Sequence, residues 1–422
     1  MPMTRNHQAT VPAGLRYAKR GVRQFLFPAL LSVSAIAASL LILQLAPAPF
    51  FWLLLTWAAA LWAAIFGVRG SWPRAILFNL GIAACVVAGV EAYMLTHEYA
   101  PRIFSPGFMV PDDALGWGPA KGMQAKAMEA ASVGLFHHPV GKMSDTMYTI
   151  DSNGLRVAPP YRNDDLAGSV LFFGCSYTFG IGLKDDETLP YQVGVQSDGR
   201  YRTFNFAFVA YGPSQMLAAI ETGRVSGVVD TTPRYAYYIA IPHHVWRAAG
   251  RVDWIHHQPR YVLETDGTLH RAGYFEGRKS LARELSFGWL IEGQLNWIEG
   301  QLNKAAIWRR LLMKDSRITD DDIRLYLAMI GRTQELITTQ YPGIQFRIIL
   351  WPGQGGSVAQ RSTYEKIRDG FLRMGIPVDF VEDILPGYNS DREKFQLSSM
   401  DTHPNALANR LLAQYVVSKL AQ

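Results

Sequence analysis

The chain is poor in cysteine, poor in charge and, over its first hundred residues, almost without acid. Two cysteines, Cys85 and Cys175, are spread over 422 residues. This excludes a disulfide scaffold and a zinc ribbon, each of which needs more cysteines at short spacing. Charged residues make up 18% of the chain and hydrophobic ones 49%, an apolar balance for a soluble enzyme. The average hides a division. The first hundred residues contain Glu91 and Glu98 and no Asp, whereas the remainder has the mixture of an ordinary globular domain. The net charge is +6, with Arg5, Arg16, Lys19, Arg20 and Arg23 clustered at the start and the other basic residues dispersed among Asp and Glu. No Lys/Arg run interleaved with aromatics is present, so no nucleic-acid partner is expected. There is no internal repeat and no low-complexity tract.

From Phe25 to Val68 there is no Asp, Glu, Lys, Arg or His. A membrane crossing takes about 20 apolar residues, so this stretch is long enough for two. Ala46-Pro47-Ala48-Pro49 falls where a tight turn would lie, because proline ends helices. A third apolar run, residues 75–93, follows the loop Arg69-Gly70-Ser71-Trp72-Pro73-Arg74. Trp52, Trp57, Trp62 and Trp72 suit interfacial or helix-packing positions. A signal peptide is the competing reading, and three successive runs of spanning length argue against it. The expectation is a basic cytoplasmic N-terminus over 1–23 and three transmembrane helices over 24–96. The excess of Lys/Arg before the first helix and at Arg69 and Arg74 then orients the chain as a multi-pass inner-membrane protein. Everything after about residue 96 lies on the periplasmic or extracellular side. Glu91, near the outer end of the third run, reads as interfacial rather than as part of a transport path.

Residues 97–168, rich in Gly, Pro and small polar residues, read as an extracytoplasmic stem, with Met147 to Arg156 running from a strand into a turn. From 169 onward the pattern alternates strand and helix. Strands are expected at 170–173, 202–207, 235–241, 345–351 and 377–381. Helices are expected near 187, after Pro213, and at 319–340, 358–374 and 404–420, the last with Pro404 at its start. Such alternation predicts an α/β fold, a parallel sheet with helices on both faces, over 169–422. Residues 248–316 lack this alternation and read as an insertion. Trp246, Trp254, Trp289, Trp297 and Trp308, in or beside it, form a lid or a carbohydrate-stacking surface if exposed and ordinary core if buried.

The chemistry points to Gly174-Cys175-Ser176-Tyr177-Thr178-Phe179-Gly180, which follows the first strand of this pattern. A serine hydroxyl attacks a carbonyl only when a base takes its proton, and it must project from a sharp strand-to-helix turn whose N–H groups face the developing oxyanion. Ser176 between two glycines has that setting; an ordinary polar-capped turn is the alternative. Near the C-terminus, Asp401-Thr402-His403-Pro404-Asn405 precedes the last helix. An Asp two residues before a His can hold one ring nitrogen and leave the other to act as base; a simple helix cap is again the alternative. Cys175 is a second candidate nucleophile, although its place before the elbow aims the thiol into the fold. The pairs His137-His138, His243-His244 and His256-His257 raise a metal reading, yet neighbours on a strand point to opposite faces and do not chelate together. No metal and no cofactor are expected.

These segments together resemble the SGNH/GDSL hydrolases, over roughly the C-terminal two thirds of the chain. Gly174 to Gly180, followed by Gly182-Leu183-Lys184-Asp185-Asp186-Glu187-Thr188-Leu189-Pro190, matches the family's first block. The run Asn205 to Gln215 is similar to the second, Ile239 to Val245 falls at the third, and Asp401 to Asn405 matches the fifth. The resemblance implies a flavodoxin-like three-layer α/β/α domain with Ser176, His403 and Asp401 as catalytic residues. It also implies an oxyanion hole built from Ser176, Ala210 and the pair His243 and His244. The family departs from this chain in having Asp at Cys175, Gly at Ala210 and Asn near His243. Ala at position 210 matters because a Cβ disfavours positive φ, and an imidazole replaces an amide as donor at the third block.

The implied function is ester cleavage or acyl transfer on an acylated envelope carbohydrate or lipid. Both go through an acyl-serine and differ in whether water or a sugar hydroxyl resolves it. A transferase would take a membrane acyl-donor protein as partner. The competing classes are a degenerate module of the same fold that binds glycan or scaffolds a membrane assembly, and a sensor coupled through the helices to the cytoplasm.

Overall fold

The computed structural model describes residues 30–44, 49–96, 103–128, 143–162, 164–252, 257–275, 305, 307, 318–353, 358–398 and 401–420. The chain divides into two compact units. One comprises Met1–Glu98, Ser132–Pro139 and Ser280–Lys314; the other comprises Tyr99–Ala131, Val140–Lys279 and Asp315–Gln422.

The first unit contains helices α1 (Leu30–Gln44), α2 (Pro49–Ala64) and α3 (Ser71–Thr96). Within it, Ser71–Leu95 is long and apolar enough to cross a membrane, whereas α1 and α2 are shorter apolar helices. The expectation of three full spans is therefore corrected: among the described residues one helix reaches spanning length. Helix α2 starts at Pro49, and its 16 residues fall short of the roughly 20 that a crossing takes. Helices α2 and α3 pack together, and the Trp62 indole donates to the Phe78 carbonyl at 3.2 Å. Gly81 makes room for that ring, because a Cβ there would lie 2.1 Å from Trp62 Nε1. Glu91 is enclosed by protein. It is 1% exposed, and one carboxylate oxygen accepts the Ile307 amide at 2.8 Å. A buried carboxylate needs such donors in place of water.

In the second unit, residues 103–128 and 143–162 do not behave as a separate stem. They form β1 (Ile103–Phe104), β2 (Met109–Asp112), β3 (Gly116–Pro119), β4 (Gln124–Met128) and β5 (Met143–Thr149). β1, β4 and β5 make an antiparallel sheet and β2 with β3 a hairpin. Phe108, Tyr148 and Ile150 from this region join the same apolar cluster as Phe173, Phe208 and Tyr238. Burial of large aromatics, rather than a linker composition rich in Gly and Pro, decides the outcome.

The main sheet holds β6 (Gly168–Phe173), β7 (Tyr201–Asn205), β8 (Pro233–Ala240), β11 (Gln345–Leu350) and β12 (Val378–Phe380). β9 (Pro259–Leu263) and β10 (Leu269–Tyr274) form a separate antiparallel hairpin, which is the described part of the expected insertion. All pairings in the main sheet are parallel, in the order β12-β11-β8-β6-β7. Counted within this sheet, the order is 2-1-3-4-5, the flavodoxin-like arrangement. Side chains alternate across it. Leu171, Phe173, Ala236, Tyr238 and Ile348 belong to one cluster, with Tyr326, Met329 and Phe371. Val170, Phe172, Tyr235, Tyr237 and Ile349 belong to another, with Val193, Leu412 and Val416. Those partners lie on α8 (Asp320–Gln340) and α9 (Val358–Arg373) for the first cluster, and on α5 (Leu189–Gln196) and α11 (Ala406–Leu420) for the second. The shorter helices are α4 (Ser176–Phe179), α6 (Pro213–Glu221), α7 (His243–Ala248) and α10 (Val381–Ile384). Two apolar faces on one sheet require helices on both sides, hence three layers. The last helix begins at Ala406 rather than at Pro404, because the Asn405 side chain caps it by accepting the Ala408 amide at 3.0 Å. A capping side chain on a non-helical residue sets the start.

One buried charge organises the segment after the elbow. The Arg156 side chain is fully buried and donates to the carbonyls of Phe179 at 2.7 Å, Gly180 at 2.6 Å and Leu183 at 2.5 Å. It also pairs with Asp185 at 2.9 Å and lies over the rings of Tyr148 and Phe179. Gly180 is left-handed, with φ at 85°, and a Cβ there would lie 2.9 Å from Arg156 Nη1. Arg156→Met keeps the volume but strands Asp185 and three carbonyls. It should lower unfolding stability by about 3–5 kcal/mol, read as the chemical-denaturation midpoint against that of the unmodified chain.

Candidate active site

Ser176 is the first residue of α4, immediately past the C-terminal end of β6, which lies between β7 and β8. This is the point where the strand order reverses, and in open α/β sheets the crevice for ligands opens there. Gly174 at φ 150° makes the sharp exit from the strand. A Cβ on it would lie 2.2 Å from Thr178 Oγ1 and 3.1 Å from the Ile239 carbonyl, so glycine is required there. Asn205 at the end of β7 braces the turn. Its side-chain amide donates to the Thr178 carbonyl at 3.1 Å and its oxygen accepts the Ala207 amide at 3.2 Å.

The structure brings Ser176, His403 and Asp401 together. Ser176 Oγ lies 2.8 Å from His403 Nε2, and His403 Nδ1 lies 2.6 Å from Asp401 Oδ1. The same carboxylate oxygen accepts the His403 backbone amide at 3.1 Å. A carboxylate only accepts hydrogen bonds, so Nδ1 carries the ring proton and Nε2 is left as acceptor for the serine hydroxyl. All three side chains are largely shielded: Ser176 and Asp401 are each 8% exposed. The loop carrying His403 is fastened on both sides. Ser398 Oγ accepts the Asp401 amide at 3.0 Å, the Leu397 amide donates to the His403 carbonyl at 2.9 Å, and Asn405 donates to the Lys394 and Gln396 carbonyls.

Several contributors carry no motif of their own. The Tyr177 hydroxyl donates to the Thr402 carbonyl at 3.1 Å, and its ring lies 5.2 Å from that of His403 and 5.5 Å from that of Trp351. The residue beside the serine thus holds the loop that carries the histidine. Arg156, Asn205 and Ser398 are likewise anonymous in sequence. The one usable signal is that Asn205 is a polar residue at a strand end, where side chains brace turns.

The other expected site residues fare differently. Cys175 is completely buried in the apolar cluster with Val170 and Tyr237, so its thiol is a core group. Ala210 adopts φ 64°, the left-handed region in spite of its Cβ. His244 is fully buried, with Nδ1 2.6 Å from the Tyr238 hydroxyl. It is therefore a core histidine, not an open donor, because α7 winds its side chain inward against β8. Half-buried His243 stacks on Trp246 with ring centroids 5.9 Å apart, which makes Trp246 core rather than a lid. His257 is exposed, with φ 68°. His137, His138, His256, Trp254, Trp289, Trp297 and Trp308 lie outside the described residues. Among the described residues no three His, Cys, Asp or Glu side chains gather as metal ligands do.

Burial, with the Arg247 charge adding to it, pushes His243 down to about 3 and His244 well below the usual histidine range. Both rings stay neutral in the folded chain while an unfolded chain protonates them below about pH 6.5. The unfolded state then binds more protons, so these residues make stability fall as pH drops through 6.5 toward 3. Each contributes a slope of about 1.4 kcal/mol per pH unit in that window. Urea titrations between pH 6 and 4 should show a shallower decline for His244→Phe than for the unmodified chain.

No protein-family model and no curated protein matches the sequence. Solved structures that are similar include a lipolytic protein of the G-D-S-L family from Veillonella parvula, 12% identical, covering 60% of this chain and 98% of that one, with a TM-score of 0.33. An acetyl xylan esterase from the rumen bacterium Butyrivibrio proteoclasticus is 12% identical over 66% of each chain, with a TM-score of 0.31. A catalytic mutant of an acetylxylan esterase from Geobacillus stearothermophilus is 12% identical over 61% of this chain and 95% of that one, with a TM-score of 0.33.

Proposed function

We propose that the chain is a membrane-anchored serine esterase or O-acyltransferase of the SGNH/GDSL type, acting outside the cytoplasm on acyl esters of an envelope glycan or lipid. The observation that carries this reading is the continuous hydrogen-bonded line from Ser176 through His403 to Asp401. His403 Nε2 takes the proton as Ser176 Oγ attacks the ester carbonyl, and Asp401 stabilises the imidazolium that forms. The carbonyl electrons move onto oxygen, where the backbone amides of Ser176 and Ala210 and a ring N–H of neutral His243 are the candidate donors. The tetrahedral intermediate collapses, the leaving alcohol takes the proton from His403, and an acyl-serine remains. Water or a sugar hydroxyl, deprotonated by the same ring, then releases the acyl group.

The anchor is argued from exposure. Leu30, Val33, Leu40 and Leu41 of α1, Trp57 and Trp62 of α2, and Ile76, Phe78, Leu80 and Val86 of α3 are all 38–64% exposed. Large apolar side chains turned outward along whole helices fit lipid as the surrounding solvent. With the basic N-terminus held inside, a single crossing by α3 would deliver the second unit to the periplasmic side. A separate membrane acyl donor would be the partner in the transferase version.

Purified full-length protein in detergent should hydrolyse p-nitrophenyl acetate. Ser176→Ala or His403→Gln should each remove at least about 10³-fold of that rate, and Asp401→Asn about 10⁴-fold. Equal rates for Ser176→Ala and the unmodified chain would overturn the assignment of Ser176 as nucleophile.

A further inference from the structure

Ala210 is an alanine in a backbone conformation that L-residues adopt reluctantly, so something outside the residue must hold it. The candidate is the β2–β3 hairpin. The indole Nε1–H of Trp117 donates to the Val209 carbonyl at 3.0 Å, and the Tyr211 hydroxyl donates back to the Trp117 carbonyl at 2.7 Å. The two rings meet edge to face at 6.1 Å. On the far side, Arg247 donates to the Tyr211 carbonyl and the Tyr211 amide reaches the Phe208 carbonyl at 3.2 Å. The hairpin is itself fixed. Asp112 accepts the amides of Ala114 and Leu115 at 3.0 and 2.9 Å and pairs with Arg224.

The Val209 carbonyl and the Ala210 N–H belong to one planar peptide group and point in opposite directions. Pinning that oxygen therefore fixes the direction of that N–H, and turning the amide over requires breaking the indole bond. We infer that Trp117 is a positioning residue that sets the Ala210 amide for the oxyanion, replacing the freedom a glycine would have by a side-chain latch. This rests on the serine mechanism proposed above, and it gives a role to a hairpin that supplies no residue to the Ser176–His403–Asp401 line.

Trp117→Phe retains the ring and deletes the N–H. In full-length protein, kcat for p-nitrophenyl acetate and the rate of Ser176 labelling by a fluorophosphonate should each fall about 10-fold, with KM unchanged. Backbone hydrogen exchange across 207–212 should accelerate while that across 174–180 stays as it was. Adding Ala210→Gly to Trp117→Phe should recover labelling to within about 3-fold, since glycine accepts the left-handed conformation without a latch. Unchanged labelling and exchange in Trp117→Phe would overturn the assignment. So would a loss that Ala210→Gly fails to rescue, which would mark Trp117 as packing alone. If the unmodified chain takes no label, the serine reading falls, and the exchange across 207–212 alone decides whether the latch exists.

Discussion

The hydrogen bond between Ser176 and His403 is the contact on which the rest of the second unit converges. It joins the C-terminal end of β6 to the loop before α11 across 227 positions of sequence, and neither end holds its place alone. The serine end depends on a glycine that no side chain can replace and on Asn205 reaching over from the neighbouring strand. The histidine end depends on Ser398, Asn405 and the Tyr177 hydroxyl. A ring held by this many bonds keeps one orientation toward the serine, which is the physical content of a preorganised site.

Charge inside the unit follows one rule: it is buried only where it is matched. Arg156 meets Asp185 and three carbonyls, Arg347 meets Asp379, which also accepts the Tyr415 hydroxyl, and Arg251 meets Asp322. The two histidines of the third block obey the same rule by the opposite route. Burial, with the Arg247 charge beside them, disfavours the protonated rings, so they stay neutral. Asp401 follows the rule too: its shielded carboxylate is matched by a ring N–H and the backbone amide of His403. The first unit solves a different problem. Its helices turn apolar residues outward, and its buried Glu91 finds a backbone amide inside the same unit.

Much of this architecture was legible from residue pattern. The runs at 170–173, 235–241 and 345–351 are apolar without alternation because both faces of those strands are covered. For the same reason the layer structure and the positions of the helices could be read with errors of a few residues. Composition misled where glycine was frequent: residues 97–168 read as a stem, whereas Phe108 and Tyr148 within them are buried in the core. The long apolar run before Val68 counted enough residues for two spans, whereas the described helices within it, Leu30–Gln44 and Pro49–Ala64, are shorter than a span.

By itself the sequence determined the strands of the main sheet, the serine on its glycine-flanked elbow and the D-x-H before the last helix, because each is encoded in neighbouring residues. Only the tertiary structure decided that His244 belongs to the core, that Tyr177 clasps the histidine loop, that Arg156 ties down the elbow and that Trp117 holds the strained Ala210. Each of these joins side chains to backbone atoms brought close by the fold, and a carbonyl oxygen looks the same at every position of a sequence.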